Sequence, residues 1–462
     1  MSIITISIFV LLSIILIIIL TSVTRLNAFA SLFLVALLLA LAVLPGKGVV
    51  EILKQGFGST MASIGFLIIF GAVIAVILEK TGGTVAIANY ILSRTGHRKA
   101  ASAMGITGFI VGLPIFCDSG YIILSGLAKS FSSKARITLP FIAFVLATSL
   151  YSVHCLIPTH PGALAAAGIL HANIGLLILL GAVLAVPPAL SAFFWIRWQT
   201  RKASYDGTVR LETALPGIEH SGTAFSRAGF PETETRAENQ LPPVRLSLLP
   251  IAVPLFLIAV GSLLTVLNVS DIHFLSRSLL FLGQPIIALL IGVFLSLFLL
   301  KDKSIKEING VLESAIEKAG PILIVTGAGG MFGLVIKETG VGAFAGDFFL
   351  QTGLGLAIPF LIAFILKTAQ GSSTVAIITA ASLIMPMLSA LGLDSENGKI
   401  LTMLAMGAGS MMISHANDSY FWVISRFSGI DSNTTLKVYS SATIVMGLVT
   451  FCCVWLLSLF LL

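Results

Sequence analysis

Apolar segments long enough to cross a lipid bilayer recur along nearly the whole chain, separated by short polar turns. A membrane-spanning helix needs about 20 predominantly apolar residues, and the strict alternation of a transmembrane β-strand is missing from these segments. The pattern therefore predicts an all-α polytopic membrane protein. In the first half, the predicted apolar segments are Ile3–Leu20, Leu26–Leu44, Ser59–Leu78, Ala101–Ser130, Ile137–Leu170 and Ile174–Trp195.

The second half of the chain repeats this plan. GAVIAVILEKTG at Gly71–Gly82 aligns without gaps to GGMFGLVIKETG at Gly329–Gly340, an offset of 258 residues (329 minus 71). Internal duplication is common in transporters, so we predict two related halves, residues 1–199 and 246–462. The apolar segments predicted for the second half are Leu246–Val266, Leu279–Leu300, Ile322–Ile336, Leu354–Leu388, Ile400–Ile424 and Val438–Leu462.

Three polar segments are predicted to lie outside the membrane spans. Gly48–Gly58 and Lys301–Lys318 are mixed or charged and are interpreted as connectors. Residues 200–245 combine four prolines with mixed charge and have no sustained apolar periodicity. Such a composition cannot bury enough apolar surface to fold, so we predict a disordered cytoplasmic loop between the halves.

Polar stretches interrupt two apolar segments in each half. GLPIFCDSG at Gly112–Gly120 and KTAQGSSTV at Lys367–Val375 predict the tips of re-entrant helical hairpins at about 101–130 and about 354–388. HCLIPTHPG at His154–Gly162 and SHANDSYFW at Ser414–Trp422 predict unwound helices at about 137–170 and about 400–428. Irregular backbone at membrane depth is tolerated only inside protein or beside a wet cavity, so a substrate site is expected between these stretches.

The charges indicate how the halves are oriented. Only 10% of the residues are charged, against 57% hydrophobic. If the hairpins are re-entrant, each half has about five crossings, and an odd number makes the second half inverted relative to the first. Most of the 27 lysines and arginines then fall on the side of the inter-half loop. Basic loops favour the cytoplasm, which places both termini outside.

The hairpin tips contain candidate functional groups. Asp118 is a carboxyl group inside an apolar hairpin, where it needs a partner, a wet cavity or a proton. It is interpreted as a proton-carrying or substrate-contacting acid, or alternatively as a structural cap of the second hairpin arm. Lys367 could attract an anionic substrate, neutralise Asp118 or Asp418, or extend to the membrane surface. Backbone N–H groups at Gly371–Thr374, at the start of a half-helix, would favour an anion.

The unwound stretches supply a second set of polar side chains. His154 and His160 lie beside Pro158 and Pro161, each of which removes a backbone donor. A histidine there can contact substrate or titrate, or it can simply bond a carbonyl that the prolines leave free. In the second stretch, polar residues crowd into Ser414–Ser419, and some of them are expected to line a cavity.

The motifs quoted above, taken in order along the chain, resemble those of the gluconate permease (GntP) family of bacterial proton symporters. The resemblance implies an inner-membrane homodimer with inverted repeats, in which a transport domain moves against a scaffold. It also implies proton-coupled uptake of gluconate or a related small anionic hydroxy acid. On this basis the predicted proton-coupling residues are Asp118, His160 and Asp418, and the predicted substrate-binding residues are His154, Thr159, His160, Lys367, Gly371, Ser372, Ser373, Thr374, His415, Asn417, Asp418 and Ser419.

Three positions depart from the family pattern and leave the substrate open. The family usually has a glutamate where Asp118 stands, often an arginine in place of Lys367, and commonly a glycine in place of Tyr420. D-serine and D-glycerate are therefore alternative substrates. An anion channel or a membrane-embedded enzyme acting on a lipid are alternatives of other classes. Neither a cofactor, nor a metal, nor a nucleic-acid partner is predicted.

Overall fold

The computed structural model describes residues 2–24, 26–44, 48–95, 99–201, 241–266, 274–341 and 355–462, and these are almost entirely helical. The predicted loop falls largely on residues 202–240, and the start of the second hairpin falls on 342–354; both lie outside the described residues. The helices of the first half are α1 (Ile3–Ile18, followed by a π-helical turn at Ile19–Val23), α2 (Ala28–Val43), α3 (Val49–Thr81), α4 (Gly83–Thr95), α5 (Ala100–Gly112), α6 (Cys117–Ala135), α7 (Leu139–Leu156), α8 (Pro161–Ile169), α9 (Ile174–Leu184) and α10 (Val186–Thr200).

The second half contains the remaining helices. Seven helices of the described part are long and apolar enough to cross a membrane, and an eighth span results if the bent pair α12 and α13 is counted. The prediction of an all-α polytopic membrane protein is therefore confirmed. The helices are α11 (Val244–Val266), α12 (Phe274–Leu282), α13 (Pro285–Leu297), α14 (Ile305–Thr339), α15 (Ala357–Gln370), α16 (Ser373–Ile384), α17 (Glu396–Met411), α18 (Ser419–Ser428) and α19 (Ser441–Leu461), with a 3₁₀ turn at Met385–Met387, a short helical turn at Ser432–Thr434 and a π-helical turn at Thr435–Ser440.

Helix bounds repeat at the offset found in the sequence. Adding 258 to the bounds of α3 gives 307–339, against Ile305–Thr339 for α14. The same shift takes α5 to 358–370, against Ala357–Gln370 for α15, and α8 to 419–427, against Ser419–Ser428 for α18. This match of bounds supports the repeat, and the inverted orientation of the two halves remains our proposal.

The interpretation of Gly48–Gly58 and Lys301–Lys318 as connectors is wrong. The first lies almost entirely in α3 and the second almost entirely in α14, which have 33 and 35 residues. Ser304 fixes the start of α14, because its hydroxyl accepts a hydrogen bond from the Glu307 N–H at 3.3 Å. The two long helices pack closely: a Cβ on Gly56 would lie 2.7 Å from the Gly330 carbonyl oxygen.

The predicted span Leu279–Leu300 is broken within its length. It is divided into α12 and α13, which meet at an angle of 72°. Pro285 is the first residue of α13, where its missing N–H leaves no hydrogen bond unmade. Gly283 lies in the bend, and a Cβ there would sit 2.6 Å from the Cα of Gly261. Close packing against α11 therefore accompanies the break.

Four short interruptions carry the polar stretches singled out from the sequence. The first tip (residues 113–116) joins α5 to α6, and the first break (residues 157–160) joins α7 to α8. The second tip (residues 371–372) joins α15 to α16, and the second break (residues 412–418) joins α17 to α18. Helix α8 of the first half packs against α16 of the second, so the two halves meet beside these interruptions.

Candidate functional site

The first break contacts both hairpin tips. His160 Nε2 donates a hydrogen bond to the Gly112 carbonyl, 2.6 Å away, at the entrance to the first tip. His154 Nε2 lies 3.4 Å from the Thr374 hydroxyl, just after the second tip. A Cβ on Gly162 would lie 3.0 Å from the Cα of Thr374. The first break therefore lies against both hairpin tips through these residues.

The local sequence explains why α7 stops and α8 begins where they do. Pro161 is the first residue of α8, and His160 before it has the extended backbone that a residue preceding proline prefers. Pro158 lacks an N–H and lies in the interruption itself. Both histidine side chains are buried by protein, as irregular structure at membrane depth requires.

The second tip is a glycine turn followed by a capped helix. Gly371 ends α15 with φ +82°, a left-handed conformation that glycine adopts without a steric penalty. Ser372 then caps α16, its hydroxyl accepting from the Val375 N–H at 3.3 Å. The first N–H groups of α16, those of Ser373 and Thr374, have no carbonyl partner within the helix. They give this tip a partial positive charge.

A buried ion pair links the second tip to the second break. Lys367 is 0% exposed, and its Nζ donates to Asp418 Oδ2 at 2.5 Å and to the Gly371 carbonyl. The Ser414 hydroxyl donates to the same carboxylate oxygen at 2.5 Å, and the Tyr420 N–H donates to the other oxygen at 3.0 Å. The alternative that Lys367 extends to the membrane surface is therefore wrong.

His160 and Asp418 occupy equivalent positions in the two halves. They are 258 residues apart, and each is the N-cap residue of the helix that follows its break. Each also bonds the first arm of the hairpin in its own half: His160 bonds Gly112 and Asp418 bonds Lys367. The first half thus uses a neutral contact where the second half uses a pair of charges.

Asp118 is a further carboxyl group that interacts with this ion pair. Its Oδ1 is buried and has no hydrogen-bond partner among the described residues. It interacts electrostatically with both Asp418 and Lys367. The alternative that it caps α6 is wrong, because the N-cap residue is Phe116 and no side chain makes the cap bond.

The remaining predicted residues divide between the site and its surroundings. The Asn417 amide donates to the Thr368 carbonyl at 2.7 Å and so ties the second break to α15, although the residue is exposed. Ser419 is exposed and His415 is half-buried. Thr159 lines a small cavity with Pro114 on the α3 side of the first tip. Among the predicted substrate-binding residues, Thr159 therefore lines a cavity that is separate from the second tip.

Gln370 is a polar residue of the second tip that the sequence prediction did not include. Both its side-chain oxygen and its nitrogen are buried, and neither has a hydrogen-bond partner among the described residues. Burying an amide without hydrogen-bond partners costs free energy. Gln370 is therefore a candidate ligand-binding residue. Its place beside Gly371 at a predicted tip was the signal available in the sequence.

Tyr420 proves to be a packing residue in this structure. Its ring is buried, 5.6 Å from the ring of Tyr151 and 6.1 Å from those of Tyr121 and Tyr439, measured between centroids. Its hydroxyl donates to the Ala147 carbonyl at 3.0 Å. The ring therefore fills the space behind Asp418 and fixes α18 against α7.

The site can hold an anion but shows no metal centre. Within the part of the chain that the structure describes, no three His, Cys, Asp or Glu side chains lie close enough together to bind a metal ion. A lysine ammonium, a helix N-terminus and the unpartnered amide of Gln370 meet at one tip instead. These groups suit a small molecule with a carboxylate and hydroxyls.

Comparison with known proteins identifies relatives over the full length of the chain. The model of the GntP family permeases matches residues 4–460. The inner membrane permease YgbN of Escherichia coli K12 is 31% identical over 98% of this chain and 99% of its own. The high-affinity gluconate transporter of the same strain is 30% identical over 90% of this chain and 91% of its own. The crystal structure of the Alcanivorax borkumensis YdaH transporter shares the fold, with a TM-score of 0.62 and 14% identity, over 94% of this chain and 98% of that one.

Proposed function

Because this chain belongs to the GntP family of permeases, we propose that it is a symporter taking up gluconate or a related small hydroxy acid together with protons. The chain is a multi-pass inner-membrane transporter, so the alternative of a membrane-embedded enzyme is wrong. Gluconate is the named substrate of several relatives and fits the chemistry of the second tip. The observation that carries the proposal is the fully buried Lys367 ammonium at the end of a hairpin.

The substrate carboxylate is proposed to bind where positive charge is concentrated. Lys367 supplies a full charge, and the N–H groups of Ser373 and Thr374 at the start of α16 supply a partial one. Hydroxyls of the acid would bond Gln370, whose amide atoms are buried and unpartnered, and His154, whose Nδ1 is also buried without a partner among the described residues. Ser372 and the amide of Asn417 are proposed to lie at the edge of this substrate site.

Three groups are proposed for the proton: Asp118, His160 and Asp418. Asp118 and Asp418 interact with each other and with Lys367, so a proton on either one changes the charge that the substrate meets. His160 already donates to the Gly112 carbonyl, a contact that a structural histidine would also make. A homodimer in the lipid bilayer is part of the same proposal and follows from family resemblance.

Purified protein in liposomes is expected to accumulate labelled gluconate above the external concentration when the proton gradient points inward, and to lose this accumulation when an uncoupler is added. Competition by unlabelled gluconate, D-glycerate and D-serine ranks the substrates. Gluconate that only equilibrates across the membrane, accompanied by conductance, would contradict symport and favour the anion channel.

The Gln370→Ala variant tests the position of the site. The apparent KM for gluconate is expected to rise about fivefold, because one hydrogen bond to a buried group is worth about 1 kcal/mol. Gln55→Ala is the control, since Gln55 is exposed on α3 and should leave KM unchanged. A KM for Gln370→Ala equal to that of the wild type would remove Gln370 from the substrate site.

The inter-half loop is proposed to be cytoplasmic and both termini to lie outside. Alkaline phosphatase fused after Leu462 is therefore expected to be active in intact cells, and a green fluorescent protein at the same point to be dark. Fusions within residues 202–240 should give the opposite pair of signals. A fluorescent C-terminal fusion would reverse the proposed orientation.

A further inference from the structure

The Lys367 ammonium has little room for another ligand. A lysine has three N–H donors. Here one donates to Asp418 and one to the Gly371 carbonyl, and the centroid of the Tyr151 ring lies 5.9 Å from Nζ. The side chain is wholly enclosed, so water does not supply a substitute acceptor. A substrate carboxylate that binds this ammonium therefore competes for it with the Asp418 carboxylate.

We propose that the carboxylate of Asp418 and that of the substrate compete for the Lys367 ammonium, so that one proton bound to Asp418 allows one substrate molecule to bind. This inference rests on the proposed function and specifies its coupling step. The proton neutralises Asp418 and removes its attraction to Lys367, and the acid then supplies the compensating negative charge. The reverse order releases acid and proton together on the other side.

The surroundings of Asp418 allow this exchange without unfolding the break. When Asp418 is neutral, Oδ1 can still accept from the Tyr420 N–H, which keeps α18 capped. The proton on Oδ2 can be donated to the Ser414 hydroxyl, which lies 2.5 Å away. Only the contact with Lys367 loses its charge, so the second break keeps its shape while the ammonium becomes available.

The charge balance of the pocket supports a ratio of one proton to one acid. The titratable groups that interact electrostatically with Asp418, apart from Lys367, are Asp118 and Cys117 on α6, Tyr151 and Cys155 on α7, and Tyr439 in the π-helical turn at Thr435–Ser440. Of these, only Asp118 is a second carboxylic acid. An incoming anion would add an uncompensated charge to a buried site unless a proton arrived with it.

Proton uptake on gluconate binding tests the competition. In weakly buffered detergent solution with a pH-indicator dye, the full-length wild type is expected to take up about one proton per gluconate bound. Asp418→Asn is expected to bind gluconate with no proton uptake, and in liposomes to exchange gluconate while failing to accumulate it. Asp118→Asn removes the rival carboxyl group, and it would abolish proton uptake only if Asp118 carries the proton. Asp394→Asn, which removes an exposed carboxyl group outside the site, is the matched control and should keep the wild-type ratio.

The outcomes distinguish a failure of the proposed function from a failure of the competition for Lys367. A wild type that binds no gluconate overturns the proposed function and the competition with it. The competition alone is overturned if the wild type accumulates gluconate and Asp418→Asn still takes up a proton on binding it. The competition alone is also overturned if the wild type accumulates gluconate and Asp118→Asn takes up no proton. If Asp418→Asn does not fold, infrared difference spectra of the wild type and Asp118→Asn test the competition instead. Both proteins should gain a protonated carboxyl band on gluconate binding. Absence of this band overturns the competition.

Discussion

Replacing Gly371 by alanine is expected to lower the initial rate of uptake by about 100-fold, the scale on which a displacement of about 1 Å costs activity. The backbone at this residue has φ +82°, which costs an alanine about 1 kcal/mol. More importantly, the new Cβ would collide with the carbonyl oxygen of Asn417, a backbone atom that cannot rotate away. The second tip must then shift away from the second break, which separates Lys367 from Asp418.

Gly392→Ala separates this collision from simple backbone strain. Gly392 also has a left-handed backbone, with φ +67°, but no atom lies within 4 Å of the position of its Cβ. We expect this variant to be slightly less stable and to transport at nearly the wild-type rate. Uptake by Gly371→Ala within a factor of two of Gly392→Ala would show that the contact between tip and break is unimportant for transport.

Features that depend on one local property were predictable from the sequence. Apolar length predicted the membrane helices. Proline or glycine beside polar residues predicted both hairpin tips and the first break, since these residues cannot continue a helix at low cost, and a run of polar residues predicted the second break. The repeat offset then predicted which interruptions are equivalent. Each of these signals lies within a few residues of the feature it predicts.

Features that depend on distant packing were not predictable in the same way. Gly48–Gly58 mixes charged and apolar residues with three glycines, which locally suggests a connector. Gly56 instead allows α3 to lie against α14 at Gly330, 274 residues further on (330 minus 56). The charged side chains of Glu51 and Lys54 remain exposed along one side of the helix. A polar helix that extends beyond the apolar span looks like a loop unless its partner is known.

The candidate site also combines features that were predictable locally with features that depend on distant packing. Lys367 and Asp418 were both singled out because charges at membrane depth are expensive. Their pairing was one of several open possibilities, since 51 residues separate them and Asp118 was an equally available partner. Tyr420 was singled out because it departs from the family pattern, and the three other tyrosines around it, which the sequence alone could not place there, make it part of the packing.

Replacing Lys367 by methionine is expected to reduce the free energy of unfolding by about 3–5 kcal/mol, because it leaves the Asp418 carboxylate buried without its countercharge. Ser414 and the Tyr420 N–H alone would then hold the charge. Denaturation in mixed micelles measures the loss. The variant should also take up no gluconate, since the ammonium proposed to hold the carboxylate is gone.

Two comparisons distinguish a buried charge from a general loss of packing. Lys318→Met breaks the pair with Glu79, which joins α14 to α3 at 2.7 Å but is 17–29% exposed, so it should cost at most about 1 kcal/mol. The double variant Lys367→Met/Asp418→Asn removes both charges and keeps the cap on α18. It should recover most of the stability lost by Lys367→Met, as neutral replacements of buried ion pairs often do, yet still not transport. A double variant no more stable than the single one would mean that Lys367 supports the fold by packing, and that its charge is not what Asp418 requires.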